Sequence, residues 1–162
     1  MALAAVRAAK VRYSVFDGEG ARRTGGRWHS PGRPLIYAST CLAGALLEIV
    51  AQLGRVGLPG SHHAAVADVP DGVAREVLTP DALPGWDAMP DSPAARTYGD
   101  RWLTEVRTSV LIVPAATAQP LQQHILLNPL HPDFARIVVR PPEPIVWDVR
   151  LFASRAGRPT LR

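Results

Sequence analysis

The sequence predicts an α+β fold, and three observations lead there. Apolar runs of strand length recur along the chain, at residues 64–69, 73–78, 109–113, 125–127, 137–139 and 145–149, bounded by glycine, proline and polar residues. Only two segments, about 41–53 and 95–106, have helical spacing. Strands and helices also fail to alternate as a doubly wound parallel sheet requires, which disfavours a Rossmann origin. A chain of 162 residues suits a single domain over 1–162, long enough for a real core and too short for two.

The elements follow in order. Val11, Tyr13 and Val15 alternate with polar or outward residues, so 10–16 reads as a first strand ending at Asp17-Gly18. Glycines at 18, 20, 25 and 26 favour a loop over 18–26. A short strand over 35–38 follows Pro34. Ser39 or Thr40 is placed to cap a helix from about 41 to 53, with Gly54 as its terminator. Leu42, Leu46, Ile49, Val50 and Leu53 share a stripe that should meet the core, and Glu48 lies off it beside Gly44, Ala45, Ala51 and Gln52. Pro70-Asp71-Gly72 is a turn between strands at 64–69 and 73–78. From 80 to 93 proline and glycine impose an irregular connection, with Trp86 as its anchor onto the core.

Composition narrows the function. Of the 18 basic residues only Lys10 is lysine, so the net charge of +4 rests on arginine, the side chain suited to bidentate recognition of phosphate and carboxylate. Most of these arginines need be no more than solvated surface. The single cysteine, Cys41, excludes an internal disulfide and a thiolate metal site and fits a reducing cytoplasm. No stretch approaches the roughly 20 apolar residues of a membrane span. The basic N-terminal third lacks the interleaved aromatics of a single-strand platform and any helix-turn-helix pattern, so direct nucleic-acid binding is not expected.

Candidate chemistry concentrates in residues 20–48. Gly25-Gly26-Arg27-Trp28 is either a turn or a cradle whose N–H groups and guanidinium meet a pyrophosphate. Trp28 is either a core aromatic or a stacking surface, and Tyr37 a half-buried strand residue with its hydroxyl at an edge. A carboxylate such as Glu48 in an otherwise apolar helix is costly unless it is paired or faces a cavity. A salt bridge to Arg12 or Arg27 is the plain alternative. His29, His62, His63, His124 and His131 form no metal-ligand spacing, so no metal is expected, and His62-His63 reads as a solvated loop pair. There is no G-x-S-x-G elbow. Asn128 lies in a turn-rich Asn128-Pro129-Leu130-His131-Pro132 corner, where bonding to nearby backbone suffices to explain it.

Read together, several blocks resemble the RES domain, the toxin half of bacterial Xre-RES toxin–antitoxin pairs. They are Arg12-Tyr13-Ser14, Gly20-Ala21 through Gly25-Gly26-Arg27-Trp28, Tyr37-Ala38-Ser39, Leu46-Leu47-Glu48, Leu83-Pro84-Gly85-Trp86, Gly99-Asp100-Arg101-Trp102, the run 110–114 and Leu127-Asn128-Pro129-Leu130-His131-Pro132. The resemblance implies a single domain with the split β-sheet core of ADP-ribosyltransferases and a few helices. It also implies an enzyme that cleaves the nicotinamide–ribose bond of NAD, by hydrolysis or phosphorolysis, or transfers ADP-ribose to a protein. NAD would be substrate rather than bound cofactor, and the partner an Xre-like antitoxin. The implied catalytic residues are Glu48, Arg27 and Tyr37, and the implied NAD-binding residues Arg12, Tyr13, Arg27, Trp28, Tyr37 and Asn128. This chain departs from the family pattern at Ala115, where serine usually follows Val-Pro, and at His29 and His124, where asparagine is usual. Loss of that serine supports an alternative, a non-catalytic domain that binds NAD or a partner.

Overall fold

The computed structural model describes residues 3–53 and 59–152. In chain order these form β1 (Leu3–Lys10), α1 (Glu19–Thr24), β2 (Ile36–Ser39), α2 (Leu42–Leu53), β3 (His62–Val69), β4 (Arg75–Val77), α3 (Pro93–Glu105), β5 (Val110–Pro114), β6 (Gln123–Leu127), β7 (Val138–Val139) and β8 (Glu143–Pro144), with short 3₁₀ turns between some of them. The class is α+β, in one sheet ordered β4-β5-β6-β2-β1-β3-β7, with β8 also on β3. Every pairing is antiparallel except β4 with β5.

The sheet nearly parts in the middle. β1 pairs with β3 along its whole length, Leu3 opposite Val69 through Lys10 opposite His62, and β2 pairs throughout with β6. Between β1 and β2 the register holds one pair, Val6 with Ser39. The opening beside that pair is where a ligand can enter without breaking a ladder.

Two apolar clusters hold the halves in place. Alternation sends Val110, Ile112, Ile125, Leu127, Ile36 and Ala38 to one face, where they meet Ala5, Ala67 and Val69 from β1 and β3. Leu111, Val113 and Leu126 point the other way, into Trp28, Leu35, Trp86, Trp102 and Leu103. β5 is therefore buried on both faces, as its unbroken apolar run implies. Trp86 anchors its irregular segment as expected: it is buried and stacks on Trp28, with ring centroids 6.3 Å apart.

Several expected elements shift. The first strand is Leu3–Lys10, not 10–16; residues 11–13 turn away, with the Tyr13 N–H bonded to the Lys10 carbonyl at 2.9 Å. Pairing with β3 overrides the weak strand preference of Ala4, Ala5, Ala8 and Ala9. The expected 18–26 loop contains α1, whose ends are glycines at positive φ, Gly18 at 71° and Gly25 at 68°. His62 and His63 begin β3 instead of forming a solvated pair, and His62 is buried with its ring edge-on to Trp147. Residues 145–149 form no strand; β8 stops at Pro144.

α2 also departs from its stripe. Gly44 and Ala45 are its buried residues, while Leu42 and Leu47 are exposed and Leu46, Ile49, Val50 and Leu53 only partly covered. The helix approaches the sheet through its smallest side chains: a Cβ on Gly44 would lie 2.2 Å from Ser39 Oγ. Its N-terminal N–H, that of Gly44, bonds to Cys41 Sγ at 3.4 Å. Ser39 and Thr40 instead accept hydrogen bonds from the Gln122 amide. Gly54 lies outside the described residues.

Candidate active site

A cleft of about 510 Å³ opens at the seam between β1 and β2, within the size usual for small-molecule sites. Its walls come from β1 (Arg7, Ala8), the 24–28 loop, β2 (Tyr37, Ala38, Ser39), α2 (Ala45, Glu48, Ile49, Gln52), the turn after β5 (Thr117) and β6 (His124), with Met89 at one rim. Of the expected site residues, the structure brings Arg27, Trp28, Tyr37 and Glu48 together. Arg12, Tyr13 and Asn128 do not line the cleft. Arg12 and Tyr13 follow β1 in an exposed turn, where the guanidinium stacks 4.8 Å from the Tyr13 ring. Asn128 is buried in its corner, its Oδ1 accepting the Leu130 N–H at 3.0 Å.

Glu48 is the carboxylate of the cleft. Its Oε1 accepts the Thr117 hydroxyl and His124 Nε2, the latter at 2.8 Å. Thr117 lies two residues beyond the fully buried Ala115 and supplies a hydroxyl that Ala115 lacks. His124 arrives because β6 pairs with β2, Ser39 opposite His124. Burial pushes the Glu48 carboxyl up, but the His124 and Thr117 hydrogen bonds and the charges of His124 and Arg27 outweigh it and hold it below the usual glutamate range. Glu48 therefore stays ionised at neutral pH, with Oε1 occupied and the carboxylate one-third exposed to the cleft.

Arg7, which sequence reasoning passed over, is a second cation lining the cleft, contributed by β1. Its Nη1 donates to the Tyr37 carbonyl at 2.7 Å, and its buried Nε has no partner. Burial pulls its pKa down against the charge of Asp17, yet a guanidinium remains charged. A buried guanidinium beside the cleft favours an anion within it. The available signal was a lone arginine within the small-residue run Leu3–Lys10.

Tyr37 supplies a ring to the cleft, but its hydroxyl is engaged. His29 Nε2 bonds the Ala21 carbonyl at 3.1 Å, so it carries the proton, and the neutral ring's Nδ1 accepts from the Tyr37 hydroxyl at 2.9 Å. The same hydroxyl oxygen accepts the Trp28 N–H at 3.1 Å. Burial holds the phenol well above its ordinary range. This network fixes the 26–28 loop, and Gly26 must be glycine because a Cβ there would lie 2.6 Å from the Tyr37 oxygen.

The network makes stability depend on pH. Burial, acting against the Ala21 hydrogen bond, holds His29 below the ordinary histidine range. The unfolded chain therefore takes up a proton more readily, and the neutral ring's contribution is full above about pH 6.5 and is lost as pH falls. The melting temperature should drop as pH falls below about 6.5, and His29→Asn should lower it at neutral pH while flattening that slope. A wild-type melting temperature that stays constant from about pH 6.5 to 5 contradicts the neutral assignment.

Chemically, the cleft offers an anion site at Arg7 and a fixed carboxylate at Glu48, which suits a ligand with phosphate at one end and developing positive charge at the other. Among the described residues no group of three or more His, Cys, Asp or Glu is arranged to hold a metal, and no helix is long and apolar enough to cross a membrane.

Comparison with known proteins agrees with this architecture. A family model described as RES domain matches residues 4–148. The chain is 39% identical over 140 residues to the Prs ADP-ribosylating toxin of Sphingobium sp. (strain YBL2), covering 85% of this chain and 86% of that protein. It is 37% identical over 144 residues to Toxin Res of Pseudomonas putida, covering 86% and 94%. The M. tuberculosis MbcT–MbcA toxin–antitoxin complex contains a chain that matches with a TM-score of 0.75 at 20% identity, over 90% of this chain and 85% of that one. That likeness shows the fold.

Proposed function

We propose, from the premise that this chain belongs to the RES domain family, that it is the toxin of a bacterial toxin–antitoxin pair and consumes NAD by breaking the nicotinamide–ribose bond. The observation that carries the reading is the ionised Glu48, pinned through one oxygen by Thr117 and His124 in a cleft that Arg7 also lines.

The chemistry needs little more. The bond between ribose C1′ and the nicotinamide nitrogen breaks heterolytically, and its electron pair leaves with nicotinamide, which departs neutral and requires no acid. The ribose becomes oxocarbenium-like, and Glu48 stabilises it through its charge and a hydrogen bond from a ribose hydroxyl. Arg7 holds the pyrophosphate, with the close-packed 24–26 loop leaving room beside it, while the Tyr37 ring bounds the site. Water or phosphate then attacks C1′. Positioning contributes much of the rate.

A second reading, transfer of ADP-ribose to a cellular protein, is favoured by the name of the Sphingobium relative, an ADP-ribosylating toxin. The alternative of a non-catalytic domain loses its main support, since Thr117 reaches Glu48 despite Ala115. Incubating the purified chain with adenine-labelled NAD, with and without phosphate and a cell extract, separates these outcomes. Free ADP-ribose marks hydrolysis, ADP-ribose phosphate marks phosphorolysis, and label on a polypeptide marks transfer. Intact NAD in every arm overturns the proposal.

In the cell the toxin acts in the cytoplasm, where NAD is available, and an Xre-like antitoxin restrains it by covering the cleft; DNA binding belongs to that partner. The solved neighbour is itself part of a toxin–antitoxin complex.

Thr117 gives this reading a pH signature. The active form has Glu48 ionised, so activity falls as pH drops through its pKa. Thr117→Val removes one of the donors that hold that pKa below the usual value of 4.5. The acid limb of the pH–rate profile should move up, and the rate at neutral pH should fall roughly tenfold. An unmoved limb contradicts the role given to Thr117.

A further inference from the structure

Arg27 lines the cleft, yet its guanidinium is largely engaged by the chain itself. Nη1 donates to the carbonyls of Trp86 at 3.2 Å and Ala88 at 2.9 Å, and Nη2 lies 3.1 Å from Met89 Sδ. Arg7, by contrast, makes one such bond, and its buried Nε has no partner. The anion site therefore centres on Arg7, and Arg27 has another task.

The segment Arg27 holds has no regular structure to place it: residues 84–87 form a turn and 89–90 a bend. It is fastened by side chains. Trp86 stacks on Trp28, the Ser92 hydroxyl donates to the Gly85 carbonyl at 2.7 Å, and Arg27 ties down its far end. Met89 then stands at the rim, lining the cleft while 77% exposed. An exposed thioether fixed at the edge of a cleft gains nothing from core packing, but its polarizable sulfur suits the edge or face of an aromatic ring.

We propose that Arg27 is a positioning residue that straps residues 86–89 along the cleft so that Met89 presents its thioether to a heteroaromatic ring of the bound dinucleotide, making Met89 a determinant of ligand selectivity. This rests on the reading of the cleft as an NAD site. The charge of Arg27 still reaches Glu48, but its hydrogen bonds serve the wall.

The test is NAD binding by calorimetry in a Glu48→Gln background, where turnover does not interfere, combined with Met89→Ala, Arg27→Gln and both together. Met89→Ala should weaken binding about three- to tenfold. Arg27→Gln should weaken it to a similar extent, and adding Met89→Ala to Arg27→Gln should cost less than about twofold more. Without ligand, Arg27→Gln should speed amide exchange at residues 86–89. Multiplicative effects, or a loss above about a hundredfold in Arg27→Gln alone, overturn the inference, since each means that Arg27 contacts the ligand. Unchanged affinity in Met89→Ala or unchanged exchange overturns it as well. Absence of NAD binding in the folded Glu48→Gln parent overturns the NAD reading itself, a result distinguishable from all of these.

Discussion

Glu48→Gln should lower nicotinamide release about a hundred- to a thousandfold and leave the melting temperature nearly unchanged. The amide keeps an oxygen where Oε1 accepts from Thr117 and His124, so the side chain stays in place. What disappears is the negative charge beside the forming oxocarbenium, and the loss should fall on kcat more than on KM, because that charge matters most in the transition state. Activity within about tenfold of wild type assigns the chemistry to another group.

Gly99→Ala should have the largest effect on stability. Where α3 crosses the 26–28 loop, a Cβ on Gly99 would lie 1.7 Å from the Trp28 carbonyl oxygen and 2.8 Å from its carbon. The obstruction is backbone at a buried tryptophan, so no rotamer change relieves it. The cost should be at least about 3 kcal/mol, a fall of roughly 10 °C in melting temperature for a chain of this size. Trp28 belongs to the loop that lines the cleft, and the same displacement should reach the site. Gly20→Ala is the matching control: nothing lies within 4 Å of its added Cβ, and alanine within α1 should keep or slightly raise the melting temperature. An unaltered melting temperature in Gly99→Ala contradicts the close packing of α3 on this loop.

What could be read from the sequence was what local pattern encodes. A carboxylate in a helix of small and apolar residues marked Glu48, and a tryptophan in a proline-rich connection marked an anchor. The seam itself could not be read. Arg7 was missed because β1 is built largely of alanine, and its strand state comes from pairing with β3, some sixty residues away. That displaced the expected first strand onto Arg12 and Tyr13, which the structure leaves in an exposed turn. Thr117 and His124 meet Glu48 only because β5, β6 and β2 are neighbours in the sheet. α2 misled for the opposite reason: its apolar stripe is genuine, but the helix approaches the sheet through Gly44 and Ala45, leaving Leu42 and Leu47 exposed. Tyr37 and Arg27 were found by pattern, while their hydrogen-bond partners, which determine what they can do, were visible only in three dimensions.

The most direct test of the NAD-consuming assignment is proton NMR of NAD incubated with the purified chain, free of any antitoxin, over several hours. The expected result is free nicotinamide accumulating to many equivalents of protein, and none in the Glu48→Gln variant. NAD remaining intact with folded wild-type protein, with phosphate and an extract supplied, contradicts it.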